Sequence, residues 1–466
     1  MGVVALADFG STYTKVCLVE RREGRLLARA QAPTSLDTDL MDGYAAAVGE
    51  ATGALEGPVA IESELAASSA GGGLRVAAVG LVADLTAAAA RQAALNAGAR
   101  VETVLAGKLD EAELDRLREA RPEIILFAGG TDGGQRDLVL ENARRLRAHP
   151  IDSYVVVACN GAVAAEAARA IAEPGIAVEV ADNVMPELGR LEIDSARETI
   201  SRAFLEHVIG GKGLSASSEF ARMVKMPTPE AVLNATRLLA QGTGGRAGVG
   251  DLVVIDVGGA TTDVHSHRAV EPTAPGIEGP LLPVPLTLRT VEGDLGLRAG
   301  APGVVDADGR WVEAELDGAG RAEVARAAAA RAKRPEWVPG SADEVRLEGL
   351  LAVGCATHAL SRHCGTMLLA RGEGGPPTLV RAGPDLREVS RVIGTGGIFT
   401  HRDDGHEILR RALSRRSPRS LAPRHPSSEV DRNYVLAAAG LLASFDLEAA
   451  FGLMEEELIE TSRLEP

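Results

Sequence analysis

Aromatic residues are scarce: they make up 3% of the 466 residues, with two tryptophans and four tyrosines. A core of this size must then be filled by aliphatics and alanine. Four cysteines are too few for a disulfide framework and fit a reducing cytoplasm. Positive charge is in the minority, 49 Lys and Arg against 65 Asp and Glu, and the net charge of −16 argues against general nucleic-acid binding. No uninterrupted apolar run approaches the ~18 residues of a membrane span. The first strand starts within a few residues of Met1, so no signal peptide is expected. The expectation is a globular chain larger than one ordinary domain.

The most informative string is Val253-Val254-Ile255-Asp256-Val257-Gly258-Gly259-Ala260-Thr261-Thr262-Asp263. An apolar β-branched strand of the kind buried on both faces runs straight into a Gly-rich turn. Gly258 and Gly259 let backbone N–H groups approach an anion, and Thr261 and Thr262 add hydroxyl donors. Asp256, at a strand end beside such a cradle, suits a Mg²⁺ ion or a water. A partner stands at the N-terminus: Asp8-Phe9-Gly10-Ser11-Thr12-Tyr13-Thr14-Lys15, between two short strands. Two such hairpins, face to face, can hold the phosphates of a nucleotide from both sides. A third, uncharged turn, Gly394-Thr395-Gly396-Gly397, fits against a nucleoside.

In this order the three motifs resemble the phosphate-1, phosphate-2 and adenosine motifs of the actin, Hsp70 and sugar-kinase superfamily. Thr228 to Gln241 and Tyr434 to Phe445 look like its two connecting helices, the second carrying the small residues Ala437, Ala438, Ala439 and Gly440. The resemblance implies an α/β, actin-like (ribonuclease H-like) two-lobed ATPase. Its cofactors would be ATP and Mg²⁺, with Asp8 and Asp256 holding the metal through waters or positioning the attacking water. Glu230, near the start of the first connecting helix, is a candidate base, although a first-turn acid is also simply a favourable helix start. Gly10, Ser11, Thr12, Lys15, Gly258, Gly259, Thr261 and Thr262 would face phosphate. Asp263 would orient Thr261 or cap the next turn, and Gly394, Gly396 and Gly397 would pack on adenosine.

Between the hairpins the rhythm changes. Apolar strands at 76–82, 101–106, 124–128, 154–158 and 177–180 alternate with helical patterns at 86–97, 111–120, 136–147 and 162–172, which predicts a parallel sheet wound with helices. Ligands on such sheets bind beyond the carboxyl ends of the strands. The turns there, at Gly129 to Gly134, at Cys159-Asn160-Gly161 and at Ala181-Asp182-Asn183, would form a separate face or be plain tight turns. The expected division is a first lobe at 1–70, an inserted Rossmann-like domain at 71–190, a helical segment at 191–250 and a second lobe at 251–466. A helix from Asp194 to Ile209 would stop at Gly210 to Gly213. Asp37, Asp39 and Asp42 read as loop and cap residues, Pro272 to Pro285 as a loop, and Gly320 to Lys333 as a solvated helix. Glu292 and Asp294 are second-rank nucleotide-site candidates. His401 to Arg432, rich in Arg, Ser and Pro, reads as a long exposed loop open to an acidic partner. Cys355, His358, His363 and Cys364 offer zinc-type ligands, but helical spacing turns Cys364 away from Cys355 and His358, so a plain helix is the simpler reading.

Longer strings are more specific. DFGSTYTKV, LFAGGTDGG, VVVACNGAVAAE, VADNVMPELGRLEI, HVIGGKGLS, DVGGATTDVHS, RTVEGDLGLR and GTGGIFTH resemble the GlmL/MutL-type accessory ATPases, from Asp8 to about Leu442. This family is distinct from the mismatch-repair protein that shares the name. The resemblance implies a cytoplasmic ATP-dependent reactivating factor, or chaperone, for an adenosylcobalamin-dependent carbon-skeleton mutase such as glutamate (methylaspartate) mutase. Mutase subunits would be the partners, with no nucleic acid and no membrane; a homo-oligomer stays open. The insert is similar in layout to a cobalamin-binding domain but lacks the Asp-x-His-x-x-Gly string; Asp404-Gly405-His406 lies outside it and has Leu409 where Gly is needed. That favours docking against, or mimicry of, a cobalamin subunit over cobalamin binding. The alternatives are a small-molecule kinase of the same superfamily, a nucleotide-switched binding module without turnover, and an actin-like polymer.

Overall fold

The computed structural model describes residues 2–35, 38–70, 73–172, 176–209, 214–215, 217–270, 277–280, 282–307, 320–370 and 378–460. The expected helix stop at 210–213, Asp37 and part of the 272–285 loop lie outside these residues.

Val3–Phe9 (β1), Tyr13–Glu20 (β2) and Arg25–Pro33 (β3) form an antiparallel meander. β1 is buried along its whole length, as its apolar run Val3 to Ala7 requires. Asp39 caps the helix Leu40–Gly53 by accepting from the Met41 N–H. That helix returns the chain to Ile61–Ser68 (β4), parallel beside β1.

The chain then leaves this sheet. Leu74–Gly80 (β5), Ala99–Ala106 (β6), Ile124–Gly129 (β7), Tyr154–Cys159 (β8) and Val178–Val180 (β9) build a parallel sheet in the order β6-β5-β7-β8-β9. That is a doubly wound order with its reversal between β5 and β7. The predicted helices are present as Ala88–Asn96, Glu111–Ala120, Asp137–Ala148 and Ala164–Ile171. The helix Asp194–Ala203 brings the chain back, and Val224–Pro227 (β10) pairs with β4. Residues 191–250 therefore supply the last strand of the first sheet, β10-β4-β1-β2-β3, as well as helices.

The second lobe repeats the first. Leu252–Val257 (β11) and Thr262–His267 (β12) form the second hairpin, followed by Ile277–Glu278 (β13) and Thr287–Glu292 (β14). The helix Ala342–His363 starts at a Ser341–Glu344 capping box. Thr366–Ala370 (β15) and Thr378–Ala382 (β16) join β13 in a small separate sheet. Arg391–Thr395 (β17) and Ser427–Val430 (β18) then complete the order β14-β12-β11-β17-β18. Numbered by order of use, both large sheets read 3-2-1-4-5, with strands 1 to 3 antiparallel and 4 and 5 parallel to 1.

Two helices lie between the sheets, Thr228–Gln241 and Val435–Ala443, the first and second connecting helices. Val4 and Leu6 of one sheet and Val254 and Ile393 of the other share one core with them. The helices touch backbone to backbone: a Cβ at Gly440 would collide with the Ala231 carbonyl.

Two expectations need correction. The stretch 401–432 is not one long loop: it holds the helix Gly405–Ser414, which buries Ile408, Leu409 and Ala412, and strand β18. Its many arginines mask an apolar stripe at helical spacing. The helix Arg321–Lys333 is not wholly solvated, since Val324, Ala328 and the long side chain of Arg331 are buried, the last 4.7 Å from the Trp337 ring.

Gly440→Val should separate the connecting helices and lower stability by about 1–3 kcal/mol, read from urea midpoints. β12 and the following helix also bury His265 and His363 as neutral rings. Burial pushes both down, His265 well below the ordinary range and His363 to about 3. Neither nitrogen of His265 has a hydrogen-bond partner. The unfolded chain takes up these protons below about pH 6.5 and the folded chain does not, so stability falls as pH drops from there. His265→Leu should flatten that acid limb in a Tm-against-pH series without lowering Tm at pH 7.5.

Candidate nucleotide cleft

The two hairpins end in the same four-residue turn. Gly10 N–H donates to the Tyr13 carbonyl at 3.1 Å, and Gly258 N–H to the Thr261 carbonyl at 2.9 Å. Asp8 stands opposite Lys15 in the first pair, and Asp256 opposite Asp263 in the second. The turns face each other: a Cβ at Gly259 would stand 3.9 Å from Thr12 Oγ1. Ser11 and Ala260 are exposed at the tips.

Asp8 is buried and bound to both connecting helices. Thr228 Oγ1, at the start of the first, donates to Oδ1 at 2.5 Å. Tyr434 Oη, just before the second, donates to Oδ2 at 3.3 Å. Lys15 Nζ lies 3.5 Å from the same oxygen and 3.5 Å from the centre of the Tyr434 ring. Tyr434 has φ +54°, a left-handed conformation that costs a side-chain-bearing residue about 1 kcal/mol or more. The Asp8 bond and the Lys15 stack hold it there. Asp431, three residues earlier, is fully buried and accepts from Thr395 Oγ1 and from the N–H groups of Val435 and Leu436. It thus ties β17 to the start of the second connecting helix.

Asp256 is half-buried amid these groups. Burial, and after it the charge of Asp263, pushes its carboxyl up to about 7; Asp8 and Asp431 add to the rise, and Lys15 opposes it. The third motif closes over it. Gly396 has φ +105°, and a Cβ there would meet the Val257 carbonyl at 2.5 Å and Asp256 Oδ1 at 2.9 Å. Gly397 borders open space. The segment Leu295 to Arg298 braces the second turn, with Leu297 N–H donating to the Gly258 carbonyl and Arg298 N–H to that of Gly259. Arg298 also lies against Gly259 and donates to Glu348 at 2.6 Å.

Three expected site residues do not face the cleft. Thr262 is fully buried and donates to the Leu295 carbonyl at 3.0 Å. Strand alternation sends Thr261 and Asp263 one way and Thr262 the other. Glu230 accepts from Arg197 (2.9 Å) and Ser201 (2.7 Å) on the helix that returns from the insert, so its carboxylate is a joint between elements and not a base at the nucleotide. Gly394 leaves room for Phe399 and Leu409, not for adenosine. Glu292 and Asp294 are both held by Arg362. The structure brings in side chains to which the sequence reading gave no role at the cleft: Thr228, Arg298, Asp431 and Tyr434. The left-handed Tyr434 carries no local signal, and the others depend on long-range partners.

The donors in the cleft are carboxylate, hydroxyl and carbonyl oxygens with one ammonium, a set that suits Mg²⁺ and not a soft metal. Asp8 already has both oxygens engaged, so its action on a metal would pass through water. Among the described residues no three His, Cys, Asp or Glu side chains gather into a metal cage.

The turns at the carboxyl end of the insert do converge. Asp132 accepts from Gly161 N–H and Asn183 Nδ2, and Asn160 from Gly133 N–H and Ala162 N–H. These bonds tie the turns to one another. Leu81 fills the space beside Gly129, at the crevice between β5 and β7.

Strand order, the helices between the sheets and the paired turns define an actin-like, two-lobed fold of the ATPase and sugar-kinase class, with a doubly wound domain inserted in the first lobe. The chain belongs to the MutL protein family, whose profile matches residues 4–458. It is 38% identical over 462 residues to Protein MutL of Clostridium tetanomorphum, across 99% of this chain and 100% of that one. Among solved structures it is similar to a ROK family glucokinase from Streptomyces griseus in complex with glucose and AMPPNP (12% identity, 96% of this chain and 98% of that one, TM-score 0.31). It is also similar to the activator of the 2-hydroxyisocaproyl-CoA dehydratase from Clostridium difficile with bound ADPNP (9% identity, 100% and 98%, TM-score 0.30). Those scores are low, and the fold assignment rests on the strand order. No helix among the described residues is long and apolar enough to cross a membrane.

The raised Asp256 gives a signed test. Its folded pKa of about 7 lies above the unfolded value, so it binds its proton more tightly when folded. The resulting stability is fully present at low pH and is lost as pH rises through about 7. Asp256→Asn should therefore raise Tm by a few degrees at pH 8 relative to the native chain, with a smaller change at pH 5.5.

Proposed function

We propose that this chain binds and hydrolyses ATP as an accessory, reactivating factor for an adenosylcobalamin-dependent carbon-skeleton mutase such as glutamate (methylaspartate) mutase. The observation that carries the nucleotide part is the facing pair of Gly turns, each with an aspartate two residues before its first glycine, on two sheets of the same topology. Family membership and the string-by-string resemblance support the mutase part.

In this reading the N–H groups at 11–12 and 259–261, with the hydroxyls of Ser11, Thr12 and Thr261, donate to phosphate oxygens. Lys15 supplies a positive charge over the same space. Asp8 and Asp256 orient water, either the attacking molecule or the ligands of Mg²⁺, which when bound would neutralise charge on the phosphates. Gly397 leaves room for the nucleoside, and Gly396 lets the same turn close onto Asp256. Contacts from both turns to one triphosphate draw the lobes together about the helix crossing at Gly440, and phosphate loss releases them. Work on a mutase requires that it bind one nucleotide state more tightly than the other.

Phosphate release from Mg–ATP should be measurable and should rise when the mutase is added. Asp8→Ala and Asp256→Ala should each cut hydrolysis by roughly 10²-fold or more. Glu230→Gln should leave the rate within about threefold, because its carboxylate faces Arg197. A phosphorylated sugar or acid formed from ATP in place of free phosphate would replace this reading with a kinase.

A further inference from the structure

Arg289 lies on β14, the edge strand of the second sheet, and is fully buried. Its guanidinium faces two ways. Nε and Nη2 donate to Asp263 Oδ1 at 2.8 and 2.6 Å. Nη1 donates to the carbonyls of Leu95 and Ala99, at 2.7 and 2.8 Å, both in the inserted domain. Asn96 seals the seam: its Oδ1 accepts from Arg289 N–H at 3.1 Å and its Nδ2 donates to the Thr287 carbonyl at 3.1 Å. Gln92 Nε2 adds a bond to the Arg289 carbonyl at 3.4 Å.

At the other end of this link, Asp263 Oδ2 accepts from Thr261 Oγ1 at 3.3 Å, and Asp263 stands opposite Asp256. A continuous path, Thr261–Asp263–Arg289–Leu95/Ala99, therefore joins the second Gly turn to the insert. The insert is also joined to the first lobe. It is spliced between β4 and β10 and shares a hydrophobic core with β1 and β2, and the helix that returns from it reaches the first connecting helix through Arg197 and Glu230. Since it touches both lobes, any rotation of one lobe against the other must shift it against at least one of them. A guanidinium satisfied by one carboxylate and two carbonyls is a directional contact that an apolar side chain of similar volume would not replace in kind.

We propose that Arg289 is the joint through which occupancy of the second Gly turn is passed to the inserted domain, making that domain the nucleotide-responsive surface of the chain. The inference rests on the nucleotide reading above. A cation at the turn competes with Arg289 for Asp263, and a phosphate there competes with Asp263 for the Thr261 hydroxyl; in both cases the Asp263–Arg289 bond is altered and the seat of residues 88–99 changes with it.

Hydrogen–deuterium exchange on the full chain tests this, with AMPPNP and Mg²⁺ as the probe and binding measured separately by calorimetry. In the native chain, bound AMPPNP should change exchange in 88–99 by about threefold or more. In Arg289→Met and Arg289→Lys that response should vanish while AMPPNP affinity stays within about fivefold. Asn96→Ala, which keeps the Arg289–Asp263 pair, should weaken the response and guards against a misfolded Arg289 variant. Bound AMPPNP with unchanged exchange in 88–99 of the native chain overturns the proposal, as does a full response in both Arg289 variants. Absence of AMPPNP binding by the native chain overturns the nucleotide reading itself, and this proposal with it.

Discussion

Like charges are crowded at the centre of this molecule. The charges of Asp263, Asp8 and Asp431 all bear on Asp256, while Lys15 opposes them and Arg289 answers Asp263 from behind. Burial makes Asp256 and Asp431 expensive to ionise, and at Asp256 the neighbouring carboxylates add to the cost. The surrounding bonds are the response: Thr228 and Tyr434 on Asp8, two backbone N–H groups and Thr395 on Asp431. Asp256 has the least help and keeps its proton to about neutral pH. A divalent cation is the natural remedy for such a deficit.

The crowding follows from the duplication. Each sheet ends its first strand in an aspartate and a Gly turn, and each passes its fifth strand to a connecting helix, so the two aspartates are brought together when the helices cross. Asp8 is linked to the starts of both helices through Thr228 and Tyr434. Any change in what Asp8 binds is therefore felt where the lobes would pivot. The close approach at Gly440 keeps that crossing short and leaves no side chain to obstruct a rotation.

Much of this was legible because it is local. A strand leading into Asp-x-Gly is a contiguous signal, and so is the alternation of strand and helix in the insert, whose helix Glu111–Ala120 was located to the residue. Thr262 follows strand alternation: adjacent strand residues face opposite ways, so Thr261 and Thr262 cannot both reach one phosphate. Glu230 shows a limit of another kind, because a first-turn glutamate looks alike whether it meets solvent, a substrate or an arginine from far along the chain. The helix Gly405–Ser414 was hidden by composition, since the three apolar residues that seat it lie in a stretch otherwise rich in Arg, Ser and Pro. Arg289 has no local signal: its partners lie on two separate elements, and only the packed structure brings them together.

The insert's position also bears on how the chain is made. β4 and β10 are neighbours in space, yet all of β5 to β9 is translated between them. As the polypeptide leaves the ribosome, β4 carries an open hydrogen-bonding edge until Val224–Pro227 emerges, a hazard for pairing with a neighbouring nascent chain. The five parallel strands spliced into that interval can meanwhile gather around their own helices, so the interrupting domain would act as an early folding unit that holds the ends of the unfinished sheet close together.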